Sequence, residues 1–206
     1  MFTGLIREVA KVNSFNNGKL NIKSNLNPKI GDSIAINGVC LTVTKSAKDY
    51  FEVFVAKETQ SIIPKEKFLN RVHIEPAMTL NDKLEGHIVQ GHIDTIGKVI
   101  NINRAKNGVD FFIEVEEKYI QYIVPKGSIA IDGVSLTINR VFNSAFSVTI
   151  IPHTIENTLI KTYKIGTLVN IETDMFARYI AHILKHQKEF KKSLTWSEID
   201  NISLLY

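Results

Sequence analysis

The chain matches itself. Ser33-Ile34-Ala35-Ile36-Asn37-Gly38-Val39-Cys40-Leu41-Thr42-Val43 aligns with Ser128-Ile129-Ala130-Ile131-Asp132-Gly133-Val134-Ser135-Leu136-Thr137-Ile138 at a shift of 95 residues, and eight of the eleven positions are identical. The other three pairs are Asn/Asp, Cys/Ser and Val/Ile, which preserve size. Upstream, Gly4-Leu5-Ile6 pairs with Gly91-His92-Ile93 and Lys11-Val12 with Lys98-Val99 at a shift of 87. Downstream, Val72-His73-Ile74-Glu75-Pro76-Ala77-Met78 pairs with Val169-Asn170-Ile171-Glu172-Thr173-Asp174-Met175 at a shift of 97. The order is kept and loop insertions absorb the drift, so two copies of one module follow each other. A length of 206 residues allows one large domain or two small ones. The repeat selects two, at 1–86 and 87–174, with an unrelated tail at 175–206.

Within each module the pattern is short and extended. Ile34 and Ile36, then Leu41 and Val43, then Phe51, Val53 and Val55 alternate with polar or small residues around turn signals at Asn37-Gly38 and Lys48-Asp49. Such alternation predicts hairpin-linked strands. Asp132-Gly133 repeats the turn, and Phe146, Val148 and Ile150 repeat the third strand. Many short strands in so small a unit point to an all-β sandwich or barrel, and closure into a barrel removes exposed edges. The tail differs: Phe176, Tyr179, Ile180, Ile183 and Leu184 fall at helical spacing from Met175 to Gln187, with Asp174 as the N-cap. Thr195-Trp196-Ser197-Glu198 has the form of a capping box.

Composition narrows the class. Hydrophobic residues at 44% and charged residues at 22% exclude disorder and low-complexity stalks. The single cysteine, Cys40, excludes both a disulfide-stapled scaffold and a thiolate zinc site, and fits a reducing cytoplasm. The start, Met1-Phe2-Thr3-Gly4-Leu5-Ile6-Arg7-Glu8, has neither a basic segment nor an apolar run, so no signal peptide or membrane anchor is expected there. The net charge of +4 is modest, and the cluster Lys185, Lys188, Lys191 and Lys192 reads as a solvated helix face rather than a nucleic-acid footprint.

Several chemistries fall away. Gly91-His92-Ile93-Asp94-Thr95-Ile96-Gly97-Lys98-Val99 has one residue too many for a phosphate loop and a valine in place of the magnesium-binding hydroxyl. Neither a dinucleotide fingerprint nor a His-Glu-x-x-His pair occurs. His87, His92 and Asp94 share no spacing that makes them converge, so no metal is expected, and His87 reads as a loop histidine bonded to backbone. The stronger candidate is the duplicated Asn/Asp-Gly-Val-Cys/Ser-Leu-Thr segment. Cys40 and Thr42, and likewise Ser135 and Thr137, are two apart on a strand and share one face, which suggests a lined pocket in each half.

Met1-Phe2-Thr3-Gly4-Leu5-Ile6, the twin Gly-Val-x-Leu-Thr segments, Lys57-Glu58-Thr59, Gly91-His92-Ile93, Lys126-Gly127 and Ile151-Pro152-His153-Thr154 together resemble the riboflavin synthase family over residues 1–187. Glu85 stands where that family usually has a second glycine. The resemblance implies two six-stranded Greek-key barrels and a homotrimer built through the C-terminal helix. It further implies dismutation of two molecules of 6,7-dimethyl-8-ribityllumazine without metal or redox cofactor, and it leaves room for lumazine synthase as a partner. Neither nucleic acid nor membrane is an expected partner.

Carried over by position, the N-terminal pocket would comprise Gly4, Leu5, Ile6, Cys40, Leu41, Thr42, Phe54, Val55, Ala56, Lys57, Glu58 and Thr59. The C-terminal pocket would comprise Gly91, His92, Ile93, Lys126, Ser135, Leu136, Thr137, Ile150, Ile151, Pro152, His153, Thr154 and Ile155. The resemblance places His92, Ser135 and Thr137 at the proton traffic of the reacting methyl, with Cys40 and Thr42 in the partner pocket. Phe2 would pack over the stacked rings, and Asp174 would orient a hydroxyl or carry a proton. The competing readings are a non-catalytic lumazine- or flavin-holding antenna of the same fold and a nucleic-acid-binding small barrel.

Overall fold

The computed structural model describes residues 1–105 and 108–191. Trp196, the capping-box pattern around it and Lys192 lie outside the described residues. Twelve strands form two closed barrels of six. The first comprises β1 (Glu8–Asn16), β2 (Lys19–Lys23), β3 (Ser33–Ile36), β4 (Val39–Ser46), β5 (Tyr50–Phe54) and β6 (Arg71–Pro76), in the spatial order β1-β2-β5-β4-β3-β6. The second comprises β7 (Thr95–Ala105), β8 (Gly108–Glu114), β9 (Ser128–Ile131), β10 (Val134–Val141), β11 (Ala145–Ile150) and β12 (Leu168–Thr173) in the equivalent order. All pairs are antiparallel, and β6 returns beside β3 after the β3-β4-β5 meander, which is a Greek key.

The repeat holds at the level of backbone irregularities. Bulges fall between Val12 and Ser14 in β1 and between Val99 and Asn101 in β7, and again between Val43 and Lys45 in β4 and between Ile138 and Arg140 in β10. These kinks let strongly coiled strands close a small barrel. Alternate residues fill the interiors: Leu20, Ile22, Ile36, Phe51, Val53 and Ile74 in the first, Val99, Ile113, Ile131, Phe146, Val148 and Ile171 in the second, all at most 2% exposed. Each such side chain contributes about 1.5–3 kcal/mol of burial.

The two-residue turns form as the sequence predicts. Asn37 (φ 47°) and Gly38 (φ 82°) link β3 to β4, and Asp132 (φ 46°) and Gly133 (φ 81°) link β9 to β10, the positive φ pairs of a type I′ hairpin. The turns meet back to back, so close that a Cβ on Gly38 would lie 2.7 Å from the Gly133 nitrogen. Around this approximate twofold axis the polar contacts are reciprocal. His73 N donates to Asn37 Oδ1 (2.8 Å), and Asn170 N donates to Asp132 Oδ1 (2.9 Å). Asp132 also accepts from Lys67 Nζ (2.5 Å) and from the Tyr163 hydroxyl, so its buried carboxylate is fully engaged.

Short helices follow the fifth strand of each barrel, α1 (Lys57–Ile62) and α3 (Pro152–Asn157), with a single-turn helix α2 (Glu117–Ile120) in the second barrel. The last element, α4 (Met175–Lys191), begins where the sequence places it. Asp174 Oδ1 caps it by accepting from Phe176 N (2.8 Å) and Ala177 N (3.3 Å). No helix among the described residues is long and apolar enough to cross a membrane.

Candidate active site

The extended segments leading into each barrel carry Gly4-Leu5-Ile6 and Gly91-His92-Ile93, and the two segments are exchanged. Gly4 O accepts from Ser135 N of the second barrel (2.8 Å), while Gly91 O accepts from Cys40 N of the first (2.9 Å). Ile6 packs on the second core and Ile93 on the first. Both glycines have positive φ, and a Cβ on Gly4 or Gly91 would stand 2.5 Å from Ser135 Cβ or Cys40 Cβ. This corrects the sequence grouping: Gly4, Leu5 and Ile6 belong with Ser135, and Gly91, His92 and Ile93 with Cys40. Linear order put each segment with its own barrel; the packing of Phe2 against Val89 (N to O 2.8 and 3.0 Å) crosses them over.

Two carboxylates hold the exchanged segments. Glu75 on β6 accepts from Thr3 N (2.7 Å), Thr3 Oγ1 (2.8 Å) and Gly4 N (3.0 Å). Its repeat partner Glu172 on β12 accepts from Gln90 N (2.7 Å), Gly91 N (2.9 Å) and His92 N (3.1 Å). Burial pushes both carboxyls above the ordinary range, against the pull of these donors. The sequence reading missed them as functional residues, although a glutamate at the same strand position of both copies was visible.

The Ser135 half contains a cleft of about 310 Å³, lined by Gly4, Leu5, Ile6 and Glu85 together with Ser135, His153, Thr154 and Thr158. That is the lower end of the range for small-molecule sites. Behind the lining residues the buried His87 places Nδ1 2.7 Å from Ser135 Oγ. His87 is thus bonded to a side chain, not to backbone as its sequence position suggested. Gly86 makes this approach possible, since a Cβ there would meet Thr3 O at 2.0 Å and Ser135 Oγ at 3.1 Å. Burial lowers the His87 pKa, opposed by the charge of Asp174. A neutral imidazole beside a hydroxyl can take or return a proton.

Other predicted residues fall in different places. Cys40 and Thr42 lie on the outward face of β4, as Ser135 and Thr137 do on β10, while Leu41 and Leu136 point into the cores. Thr137 is exposed and is not part of the Ser135 cleft. His92 is exposed and its backbone is tied to Glu172, so within this chain it does not meet Ser135. Phe2 is fully buried among Ala35, Val89 and Ala130, so its ring is packing between the barrels and is not free to cover a ligand. Val55 and Ile150 are core side chains, and Val55 O already accepts from Gln60 Nε2 (2.7 Å). Phe54, Ala56, Lys57 and Glu58 are exposed around the start of α1, with Thr59 half-buried; Ile151, Pro152 and Ile155 hold the equivalent positions around α3. Lys126 is exposed at a positive-φ position, its N–H bonded to Ile138 O (2.8 Å). Asp94 is engaged by Arg178 (2.6 Å) and Thr173 (2.7 Å), a tie that anchors α4. Among the described residues no three His, Cys, Asp or Glu side chains converge as a metal site would require.

Twin barrels with exchanged leading segments, each presenting a Cys/Ser-x-Thr strand beside a glycine, define a duplicated small-ligand-binding protein. The sequence profile of the lumazine binding domain matches twice, at residues 3–77 and 90–174. The chain is 40% identical over 193 residues to the riboflavin synthase of Actinobacillus pleuropneumoniae, covering 89% of this chain and 90% of that one. It is 36% identical over 204 residues to the riboflavin synthase of Bacillus subtilis, covering 95% of each. Among solved structures, LumP complexed with riboflavin superposes with a TM-score of 0.74 at 20% identity over 84% of this chain and all of that one. LumP complexed with 6,7-dimethyl-8-(1'-D-ribityl) lumazine gives 0.70 at 22% over 84% and 99%. The chain belongs to the riboflavin synthase family.

Proposed function

We propose that the protein is a riboflavin synthase, converting two molecules of 6,7-dimethyl-8-ribityllumazine into riboflavin and 5-amino-6-ribitylamino-uracil by moving a four-carbon unit from one to the other. The observation that carries the reading is the pairing of exchanged sites. A reaction between two copies of one substrate calls for two similar pockets, and the Gly4/Ser135 and Gly91/Cys40 constellations are equivalent under the repeat. One lumazine occupies the Ser135 cleft, with backbone groups of Gly4–Ile6 and Thr154 facing the pteridine edge. The second occupies the Cys40 side, between Gly91–Ile93 and the Lys57-Glu58-Thr59 turn.

The ring delocalises the carbanion left when the C7 methyl loses its proton, so the protein's task is to align two rings and carry protons. Alignment alone reaches effective molarities of about 10⁵–10⁸ M in favourable cases. The Ser135–His87 pair takes the proton in this scheme, with Asp174 setting the field at His87. His92, Cys40 and Thr42 serve the other ring.

Bringing the two rings into contact is assigned to a homotrimer, in which the Ser135 cleft of one subunit faces the Cys40 side of its neighbour. The support is α4, where Phe176, Tyr179, Ile180, Ile183 and Leu184 are each more than half exposed on a helix tied to the body by Arg178. Such a stripe calls for an apolar partner. The same reading extends to a lumazine-delivering partner of the lumazine synthase kind and to a cytoplasmic location, which the lone Cys40 suits.

The test is direct: the purified protein is mixed with the lumazine alone and the absorbance followed. Growth of the flavin band supports the enzyme; tight fluorescent binding without conversion would make it an antenna, and no binding would defeat both readings.

A further inference from the structure

His73 lies on β6 of the first barrel, 1% exposed, yet both of its ring nitrogens are committed to the second barrel. Nδ1 is 2.8 Å from the carbonyl oxygen of Asp132, and Nε2 accepts from the backbone N–H of Leu159 at 2.7 Å. A carbonyl only accepts and an amide N–H only donates, so the hydrogen sits on Nδ1 and Nε2 is bare.

The two groups it bridges adjoin two segments that line the Ser135 cleft. Asp132 is in the turn that opens β10, three residues before Ser135. Leu159 follows Thr158, which also lines the cleft and whose Oγ1 donates to Thr154 O at 2.7 Å. A continuous path of short contacts therefore runs from the first barrel through His73 to the turn before Ser135 and to the Thr154–Thr158 segment, both of which lead into the cleft lining.

We infer that His73 is a positioning residue for this site: a clamp from the first barrel that sets the gap between the Ser135 strand and the Thr154 wall into which a pteridine ring must fit. The inference rests on the Ser135 cleft being a lumazine site. His73 does not touch the reacting atoms; it acts through Leu159 and Asp132.

The other half of the molecule lacks the device. Asn170, the repeat partner of His73, donates from Nδ2 to Asn37 O (2.8 Å), matching the His73–Asp132 contact. It has no match for the second contact, since Asn170 Oδ1 is buried with no protein partner among the described residues. The corresponding 3-10 turn of the first barrel, Lys65–Phe68, sends no donor to Asn170 Oδ1 among the described residues. The clamp is built on one side only, so the two sites of the repeat differ in how firmly their walls are held.

Two amide substitutions separate the two contacts. His73→Asn places its amide near Nδ1 and keeps the Asp132 bond while losing Leu159; His73→Gln places an oxygen near Nε2 and keeps Leu159 while losing Asp132. A third, Leu159→Pro, removes the donor instead. It sits at the first residue of the 3-10 turn Leu159–Thr162, after a Thr158 already extended (φ −131°, ψ 171°), a position proline tolerates.

Hydrogen–deuterium exchange over residues 154–162 is read alongside KM and kcat for the lumazine and riboflavin binding by fluorescence. In His73→Asn and Leu159→Pro, exchange in that segment rises about tenfold and KM about five- to tenfold, as expected for the loss of one buried hydrogen bond, with a smaller change in kcat. His73→Gln restores the protection of residues 154–162 but not KM, because the Asp132 contact is lost, and combining His73→Asn with Leu159→Pro adds nothing further. Wild-type exchange and KM in both single variants would overturn the clamp, as would a fall in urea midpoint alone with residues 154–162 still protected. Failure of the wild-type protein to bind lumazine would instead defeat the functional reading, and the exchange data would still decide whether His73 holds the wall.

Discussion

His87 Nδ1 and Ser135 Oγ lie 2.7 Å apart, joining the linker between the barrels to the strand that carries the duplicated motif. Ser135 lines the cleft, and the pair defines the first prediction. His87→Ala and Ser135→Ala each lower kcat by about 10²-fold or more, within the usual range for a lost proton carrier, while lumazine affinity changes much less. The double variant falls little further than either single one, because both act in one step. Steady-state kinetics with a separate binding titration checks this; equal losses in kcat and affinity would assign the pair to binding.

Phe2 is a packing residue in this structure. Phe2→Ala is expected to cost about 3–5 kcal/mol in urea unfolding, as for other buried phenylalanines. If the ring instead served only to cover a ligand, stability would be unchanged and KM alone would rise.

Acid should weaken the fold in a defined window. Burial lowers the pKa of His73, faced by the Asp132 carboxylate, which opposes the shift, and by Lys67, which adds to it. Burial also lowers that of His87, faced by Asp174. The unfolded chain binds protons at these sites near its ordinary value of 6.5, while the folded protein does not. Their contribution is therefore complete above about pH 7 and declines as pH falls through and below 6.5. Glu75 and Glu172, raised above 4.5, work in the opposite sense, favouring the fold at low pH and losing that effect as pH rises through their folded values. Urea midpoints should fall between pH 7.5 and pH 6, and less steeply in His73→Asn; a flat profile would contradict the histidine assignment.

Removal of α4 tests the assembly. Truncation before Met175 should leave two folded barrels, because their cores draw nothing from the helix, but should abolish the proposed trimer and with it turnover. Mass in solution by light scattering decides; an unchanged trimer would contradict the role given to the helix.

Much of this architecture was legible in the residues. The repeat gave the number of barrels, Asn37-Gly38 and Asp132-Gly133 gave the hairpins, and Phe176 to Leu184 gave the helix, because periodicity and turn chemistry are local properties. The exchange of Gly4 and Gly91 was not legible, since a leading segment can join either barrel and only the packing of Phe2 against Val89 decides. His87 was passed over for the same reason. It lies in a linker, and its partner Ser135 is 48 residues away. The one local sign was Gly86, the only residue small enough to let that linker pass Thr3 and Ser135.

The most direct test of the whole account is stoichiometry. With lumazine as sole substrate, in the presence of a metal chelator and without nicotinamide, quantitative chromatography should find two lumazines consumed for each riboflavin formed, with one equivalent of 5-amino-6-ribitylamino-uracil. Riboflavin formed at one per lumazine, or lumazine bound and recovered unchanged, would contradict it.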